Sequence, residues 1–329
     1  MKSLIINNKI YGRTRITQPV LIELIKSKSL QRLKKIDQLG AWHLHRNKPK
    51  KFTRYQHSIG VLLLLKKFNA PPEEQIAGLL HDISHTAFSH VADNIFGSTE
   101  KQDYQDNKLV RAFELQGINK ILRKHRIDPD RILNFDNFPL LEKELPELCA
   151  DRIDYALQDP FGQKMSKIKP QSFLKNLTVQ KNKFVFINQI WAKKFAELYF
   201  KINKTVWCTP LQGSLYQILG EALKLGLDKK IISKKDLFTT DDFVLNKLKK
   251  TKDREILKKI NLVKTLEIKT VGPAQADLCL KSKNRIVDPN FLKDGRLIRL
   301  SSTDKQYRKK IAAEKERSRQ GFYVKIINH

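Results

Sequence analysis

The sequence predicts a mainly α-helical bundle carrying a small β-hairpin and a small α+β appendage at its C-terminal end. Three observations predict it. Apolar residues recur at helical spacing through the first two-thirds of the chain. One pair of alternating runs, LTVQKNKFVFI over 177–187, has the period of strands. Beyond about residue 227 the composition turns lysine-rich and short strand-like segments appear. At 329 residues, 40% hydrophobic and 30% charged, the chain suffices for one large domain with an appendage, and the expected division is 1–226 and 227–329.

Taken in order, residues 18–39 place Leu21, Leu24, Ile25, Leu30, Leu33 and Ile36 on one helical stripe, with Gly40 as the stop. RNKPKKFTR (46–54) is a basic loop, and a buried helix is expected from His57 to Phe68. Pro71-Pro72-Glu73-Glu74 opens the next helix, because proline fits the first turn and carboxylates meet the positive end of the dipole. That helix is expected to run through Ile76, Leu79, Leu80 and Ile83. Further helical patterns cover 107–125 and 139–158, and the hairpin turns at Lys181-Asn182-Lys183. Helices follow at 190–206 and 211–226, then a lysine-rich helical stretch over 231–260. Strands are expected at 264–270, 276–280, 285–287, 296–300 and 322–327, with a charged helix at 304–319. No internal repeat and no glycine-rich phosphate loop is present.

The charge is extreme, 64 Lys and Arg against 34 Asp and Glu, net +30. Such a surface attracts polyanions: nucleic acid, nucleotides or anionic lipid. A uniformly lysine-rich surface explains the same number, so charge alone does not choose. Aromatic residues able to stack on bases are sparse within the basic runs (Phe52, Phe238, Phe243, Tyr307). Cys149, Cys208 and Cys279 form an odd set without CxxC spacing, which argues against a disulfide framework or a cysteine zinc site. No signal peptide is visible and the longest apolar run, 61–65, is too short for a bilayer. A cytoplasmic protein without a membrane partner is expected.

The chemistry concentrates in LLHDISHTAFSH, residues 79–90, where His81, Asp82, His85 and His90 sit among apolar and small residues. The whole chain has eight histidines. On a helix, His81 and Asp82 can both reach one point off the surface, and His85 lies one turn beyond His81. Two more ligands complete a divalent-metal site, and His57 and Asp151 (in CADRIDYALQD, 149–159) are the candidates. Two imidazoles and two carboxylates without thiolate suit six-coordinate iron, manganese, magnesium or nickel; zinc is a further divalent candidate, although a structural zinc fits poorly. Taken singly, His57 reads as a satisfied core histidine and Asp151 as a helix N-cap. Three titratable groups so close on an apolar helix are costly to bury without partners or a metal.

Four stretches, QRLKKIDQLG (31–40), TRYQHSIGV (53–61), HDISHTAFSH (81–90) and DRIDYALQD (151–159), resemble successive motifs of the HD-domain phosphohydrolases, and in particular of their deoxynucleoside triphosphate triphosphohydrolase branch. The resemblance implies an HD-domain helical bundle in which His57, His81, Asp82 and Asp151 hold a divalent metal. It implies that His85 contacts the α-phosphate and that His90 protonates the leaving 5′-oxygen. Arg54 and Arg152 would bind phosphate oxygens. Gln38, Tyr155 and Asp159 would hold the sugar, Gln38 and Asp159 at its 3′-hydroxyl, with Leu39 packed where a 2′-hydroxyl would sit. The implied reaction converts a dNTP and water to deoxynucleoside and triphosphate, in a homo-oligomer (dimer or tetramer).

Three departures stand against that pattern. The stretch 199–213, where the branch carries a histidine-rich, arginine-containing helix, offers only Lys201 and Lys204. Tyr104-Gln105-Asp106 replaces a His-Glu pair, and Lys26 replaces a guanine-reading aspartate. Taken alone, Arg54 reads as part of the basic loop, Arg152 and Asp159 as surface pairs and Tyr155 as core. Two alternatives therefore stand: an HD phosphohydrolase acting on a monophosphate, a cyclic nucleotide or an alarmone, or a basic nucleic-acid-binding protein whose HD site is secondary.

Overall fold

Helix Arg54–Lys67 forms the spine of the protein, with ten of its fourteen residues buried. Its start is fixed by a capping box: the Thr53 hydroxyl accepts from the Gln56 amide N–H, and the Gln56 side chain accepts from the Thr53 N–H. The structure, a computed structural model, describes residues 3–97, 104, 105, 108–281 and 283–328.

Helices Pro72–Leu80 and Ala150–Gln158 pack on the spine. Gly60 is required at the second contact, since a Cβ there would collide with the side chains of Asp154 and Gln158. The Pro72–Leu80 helix opens as its prolines and acids predict. Its buried Glu74 turns back to accept from the N–H groups of Leu140 (2.6 Å) and Leu141 (3.1 Å).

Several expected helices are shorter or broken. The 18–39 stripe is two helices, Pro19–Lys26 and Lys28–Arg32, followed by a 3-10 turn; Ser27 between them is extended and its hydroxyl caps the second helix. The 107–125 pattern is likewise divided, into Leu109–Leu115 and Ile118–Lys124, at Gly117 with φ +72°. Of 139–158 only Ala150–Gln158 is helical; the preceding residues are irregular and held by Glu74. The Pro72 helix stops at Leu80 rather than passing through Ile83, so His81 is its C-cap and Asp82 and His85 lie in the turns that follow.

The hairpin forms at Leu177–Gln180 and Lys183–Phe186, with Lys181 and Asn182 both left-handed, as a two-residue turn of matching twist requires. Strand Asn290–Lys293 adds to it in parallel and Arg296–Arg299 completes a four-stranded sheet. Ile268–Thr270, Phe322–Ile326 and Leu278–Leu280 make an antiparallel three-stranded sheet. The expected strand at 285–287 is buried irregular chain instead. An unexpected hairpin, Leu4–Asn8 with Gly12–Ile16, opens the chain.

Helix Gln189–Ile202 continues as a π-helical turn over Asn203–Trp207, and Thr209 then caps the nineteen-residue helix Pro210–Asp228. The expected lysine-rich stretch over 231–260 is helical only in Asp241–Lys250 and Arg254–Thr265, with turns and a short 3-10 turn over 231–240, and the second helix runs into the strand expected from 264. The charged helix Lys305–Gln320 forms as expected. One apolar core extends from Ile10 to Ile326, on both sides of residue 227. Among the described residues no helix is long and apolar enough to cross a membrane.

Candidate active site

Three candidate ligand atoms, from two helices and the C-cap of a third, lie close together. His57 Nε2 lies 2.9 Å from Asp151 Oδ1 and 3.2 Å from His81 Nε2, and His81 Nε2 lies 3.6 Å from Asp151 Oδ1. Asp82 stands beside them, its carboxylate 3.6 Å from His81 Nε2 and 3.9 Å from His57 Nε2. His57 is fully buried, held one turn into the spine helix. Asp151 belongs to the first turn of Ala150–Gln158; Cys149 occupies the N-cap position, so the capping reading of Asp151 fails.

The other ring nitrogens decide the tautomers. His81 Nδ1 donates to the Gly78 carbonyl (2.8 Å), an acceptor only. His57 Nδ1 donates to Asp154 Oδ2 (2.7 Å), a carboxylate that also accepts from the Tyr11 hydroxyl (2.6 Å) and the Gln158 amide. Both Nε2 atoms therefore present lone pairs to each other and to a carboxylate oxygen, an arrangement that holds together only around a cation. Without a metal, a proton takes that place: burial opposes charge on His57, but Asp151, Asp154 and Asp82 outweigh it and raise its pKa to about 10. The donor set fits a divalent ion, and orienting partners behind both imidazoles are the usual companions of metal-binding histidines.

Asp82 is paired on its far side, with Arg54 Nη1 at 2.9 Å and His85 Nε2 at 3.1 Å. Arg54 Nε also donates to Ser89 Oγ (3.0 Å). His85 Nδ1 is buried and has no partner. His90 donates from Nδ1 to Asp93 Oδ2 (3.1 Å). Burial, with Arg54 adding to it, lowers His85 to about 3 and His90 to about 4, against the pull of Asp82 and Asp93 respectively. Both imidazoles are neutral near pH 7 in the ligand-free protein.

Above the cluster opens a cavity of about 320 Å³. Its walls carry Gln38, Leu39, Arg54, His81, Asp82, His85, His90, Asp151, Arg152, Tyr155 and Asp159, so the residues singled out in the sequence converge here, with His57 beneath. Arg152 Nη1 donates to the Glu147 carbonyl (3.1 Å) and contacts Cys149 Sγ (3.3 Å). The Tyr155 and Tyr199 hydroxyls are hydrogen-bonded to each other. Asp159 is buried, not part of a surface pair: it accepts from Trp207 Nε1 (2.9 Å) and the Gly162 N–H (3.0 Å). Gly40 (φ +56°) lies so close to the Phe88 carbonyl and the Tyr216 hydroxyl that a Cβ would not fit. The Gln38–Leu39 loop and the Pro210–Asp228 helix both contribute to the cavity wall; the Oε1 atoms of Gln38 and Gln212 are buried and have no partner among the described residues.

Lys201 and Lys204 do not reach the cavity; they line a separate groove with Glu197 and Lys310. Lys283 and Arg285, from the far end of the chain, do reach it, as do Trp207, Gln212 and Tyr216. Sequence reasoning missed these, and missed Asp154, Tyr11 and Asp93. Asp154 had a signal, three residues after Asp151 on the same helix; Tyr11 and Arg285 had none. Of the Tyr104-Gln105-Asp106 stretch, Gln105 lines the cavity, the Tyr104 N–H donates to Asp93 Oδ1 (3.0 Å), and Asp106 lies outside the described residues.

Known proteins share this chain's family and fold. The HD domain family matches residues 54–156, the span that runs from Arg54 past Asp151. The Bacillus subtilis protein YdhJ is 39% identical over 325 residues, covering 98% of this chain and 99% of its own. The metal-dependent phosphohydrolase cns2 of Cordyceps militaris is 33% identical over 236 residues, 68% of each protein. A shorter match, 35% over 107 residues, is to the zebrafish (Danio rerio) deoxynucleoside triphosphate triphosphohydrolase SAMHD1, covering 28% of this chain and 17% of that one. A crystal structure of a phosphohydrolase from Bacteroides thetaiotaomicron shares the fold, with a TM-score of 0.66 at 17% identity over 98% of this chain and 99% of its own. The chain belongs to the HD-domain family of metal-dependent phosphohydrolases. It is a hydrolase that uses a divalent metal ion.

Proposed function

We propose that the protein hydrolyses deoxynucleoside triphosphates to deoxynucleoside and triphosphate. One observation carries the reading: a single cavity joins the candidate metal ligands and the cations Arg54 and Arg152 to a wall that carries Gln38, Tyr155, Asp159 and Gln212. A ligand that is anionic at one end and bears hydroxyl or amide donors at the other complements both. A nucleotide has that form. The short likeness to SAMHD1, an enzyme named for this reaction, supports the same choice.

His57, His81, Asp82 and Asp151 would hold the ion. Such an ion polarises a phosphoryl oxygen and makes water acidic enough to attack phosphorus near neutral pH. The chain's own groups do the rest. Arg54, fixed between Asp82 and Ser89, and Arg152 set guanidinium charge beside the phosphates, where it stabilises developing negative charge without reorganising. His85, which lines the cavity beside Asp82, would contact the α-phosphate. As the P–O5′ bond breaks, His90 delivers a proton to the 5′-oxygen from Nε2, its Nδ1–H being held by Asp93. His90 is neutral in the free protein, so the approaching polyphosphate must raise its pKa before it can act as the acid. Gln38 and Asp159 receive the 3′-hydroxyl, Tyr155 supports the sugar face, and buried Leu39 offers no partner to a 2′-hydroxyl.

The test is a panel of dNTPs, ribonucleotides, monophosphates, cyclic nucleotides and alarmones with divalent metals, the products separated. Triphosphate with deoxynucleoside is the expected pair; pyrophosphate with monophosphate, or turnover of monophosphates alone, would replace this reading. His81→Ala and Asp82→Ala should each abolish bound metal and turnover, while Lys309→Ala, on the exposed face of helix Lys305–Gln320, should leave both within twofold.

A further inference from the structure

We propose that Arg285, seconded by Lys283, forms a subsite for the phosphates that extend beyond the reacting phosphorus, and that Asn203 holds it there. This rests on the reading of the cavity as a phosphohydrolase site and deepens it toward oligophosphate substrates.

The stretch 199–213 has no arginine, and its two lysines, Lys201 and Lys204, line another groove. The cavity nevertheless has two cations from a distant part of the chain, because Lys283 and Arg285 line it. The Arg285 charge bears on His90, Tyr155, Tyr199 and Tyr216, all on the aromatic side. The carboxylate Asp82 is matched by Arg54, and Asp151 by the two histidines. Arg54 also bears on His90 and Tyr216, and it is tied to Asp82. Arg285 and Lys283 line the same cavity from a distant part of the chain, and Arg285 alone of the two guanidiniums bears on Tyr155 and Tyr199 as well. A guanidinium offers paired donors to phosphate oxygens, which a lysine cannot reproduce.

The position of Arg285 is built, not incidental. Its backbone N–H donates to Asn203 Oδ1 (3.0 Å). Asn203 is fully buried at the start of the π-helical turn, and its amide donates to Asn284 Oδ1 and Glu314 Oε1 (3.2 Å each). Asn284 in turn donates to the Glu314 carbonyl (3.0 Å). Glu314, 3% exposed, is paired with Arg317, which reaches the Cys208 carbonyl (3.1 Å). A buried polar lock of this kind is costly unless each member is satisfied, and satisfied it fixes one geometry. What it fixes is the approach of Lys283 and Arg285 to the cavity. π-helical turns recur where function needs a local departure from the α-helix.

The experiment measures binding of inorganic tripolyphosphate and of orthophosphate to the full-length, metal-loaded protein by calorimetry. Arg285→Ala should weaken tripolyphosphate at least tenfold and orthophosphate less than twofold, with Arg285→Lys in between. Asn203→Ala should shift tripolyphosphate in the same direction by a smaller factor. In turnover, Arg285→Ala should raise KM for triphosphates more than it lowers kcat. Equal tripolyphosphate affinity in wild type and Arg285→Ala overturns the subsite. So does equal weakening of both anions, or a wild type that binds no tripolyphosphate. Thermal melts and the lysine variant separate misfolding from loss of the guanidinium. A protein that binds tripolyphosphate through Arg285 yet hydrolyses no dNTP keeps the subsite and loses the dNTP reading.

Discussion

Asp154 acts one bond away from the metal cluster. Its carboxylate orders the His57 tautomer and is itself saturated by Tyr11 and Gln158. Asp154→Asn would offer that imidazole one oxygen in place of a charge, so metal affinity should fall about 10- to 100-fold with the fold retained. Titration with a fluorescent chelator competitor reads this directly; unchanged affinity would remove Asp154 from the site. His90 gives a pH prediction. Its folded pKa is depressed to about 4 from an ordinary 6.5, chiefly by burial. Below pH 6.5 the unfolded chain takes a proton that the folded chain refuses, so stability present above 6.5 is lost as pH falls toward 4. In metal-free protein, His90→Gln should flatten the melting temperature across that window. A slope identical to wild type would show that other groups govern it. At this scale the sequence marked the candidate ligands that the fold brings together, because HD with two distant partners is a pattern of residue types. It was silent on Arg285, whose role depends on where a distant segment folds.

At the scale of elements, the turn that begins helix Asp241–Lys250 holds two active-site loops. Asp241 Oδ1 accepts from the Phe88 N–H (2.7 Å) and Oδ2 from the Asp37 N–H (2.8 Å), while the Leu237 carbonyl accepts from Ala87 (2.7 Å). The first loop leads into Gln38 and Leu39, the second into Ser89 and His90. Asp241→Ala would leave two buried N–H groups without acceptors, at a cost of about 3 kcal/mol. Urea unfolding should show this loss together with a fall in kcat/KM, whereas a change below about 0.5 kcal/mol would dismiss the clamp. Periodicity identified the buried helices and the 177–187 hairpin. It overran at Ser27 and Gly117 because apolar spacing continues on both sides of a break that only backbone conformation marks. It also carried the Pro72 helix past Leu80, where the tertiary fold needs Asp82 and His85 in turns so that both can face the cluster. The Leu4–Asn8 and Gly12–Ile16 hairpin went unseen, although its tip is what brings Tyr11 to Asp154.

At the scale of the molecule, metal binding and folding are coupled. The proposed ligands come from residues 57, 81, 82 and 151, so only the folded chain brings them together. A metal at one hundred times its Kd should stabilise the protein by about 2.7 kcal/mol. Calorimetric melts with and without chelator should show the shift, and Asp82→Ala should melt at one temperature under both conditions. A chelator-insensitive wild type would contradict the shared site. The sequence by itself determined the mainly helical class, the HD signature and the polarity of the site, since these follow from residue type and spacing along one chain. Only the tertiary structure decided which groups orient the histidines, and which cations reach the cavity when Lys201 and Lys204 do not. It alone joined strands from beyond residue 290 to the 177–186 hairpin. Apart from the local partners of His81 and His90, those facts depend on contacts between residues far apart in the chain, such as His57 with Asp154 and Arg285 with Asn203, where no local propensity acts and packing, charge pairing and hydrogen-bond satisfaction choose the partner.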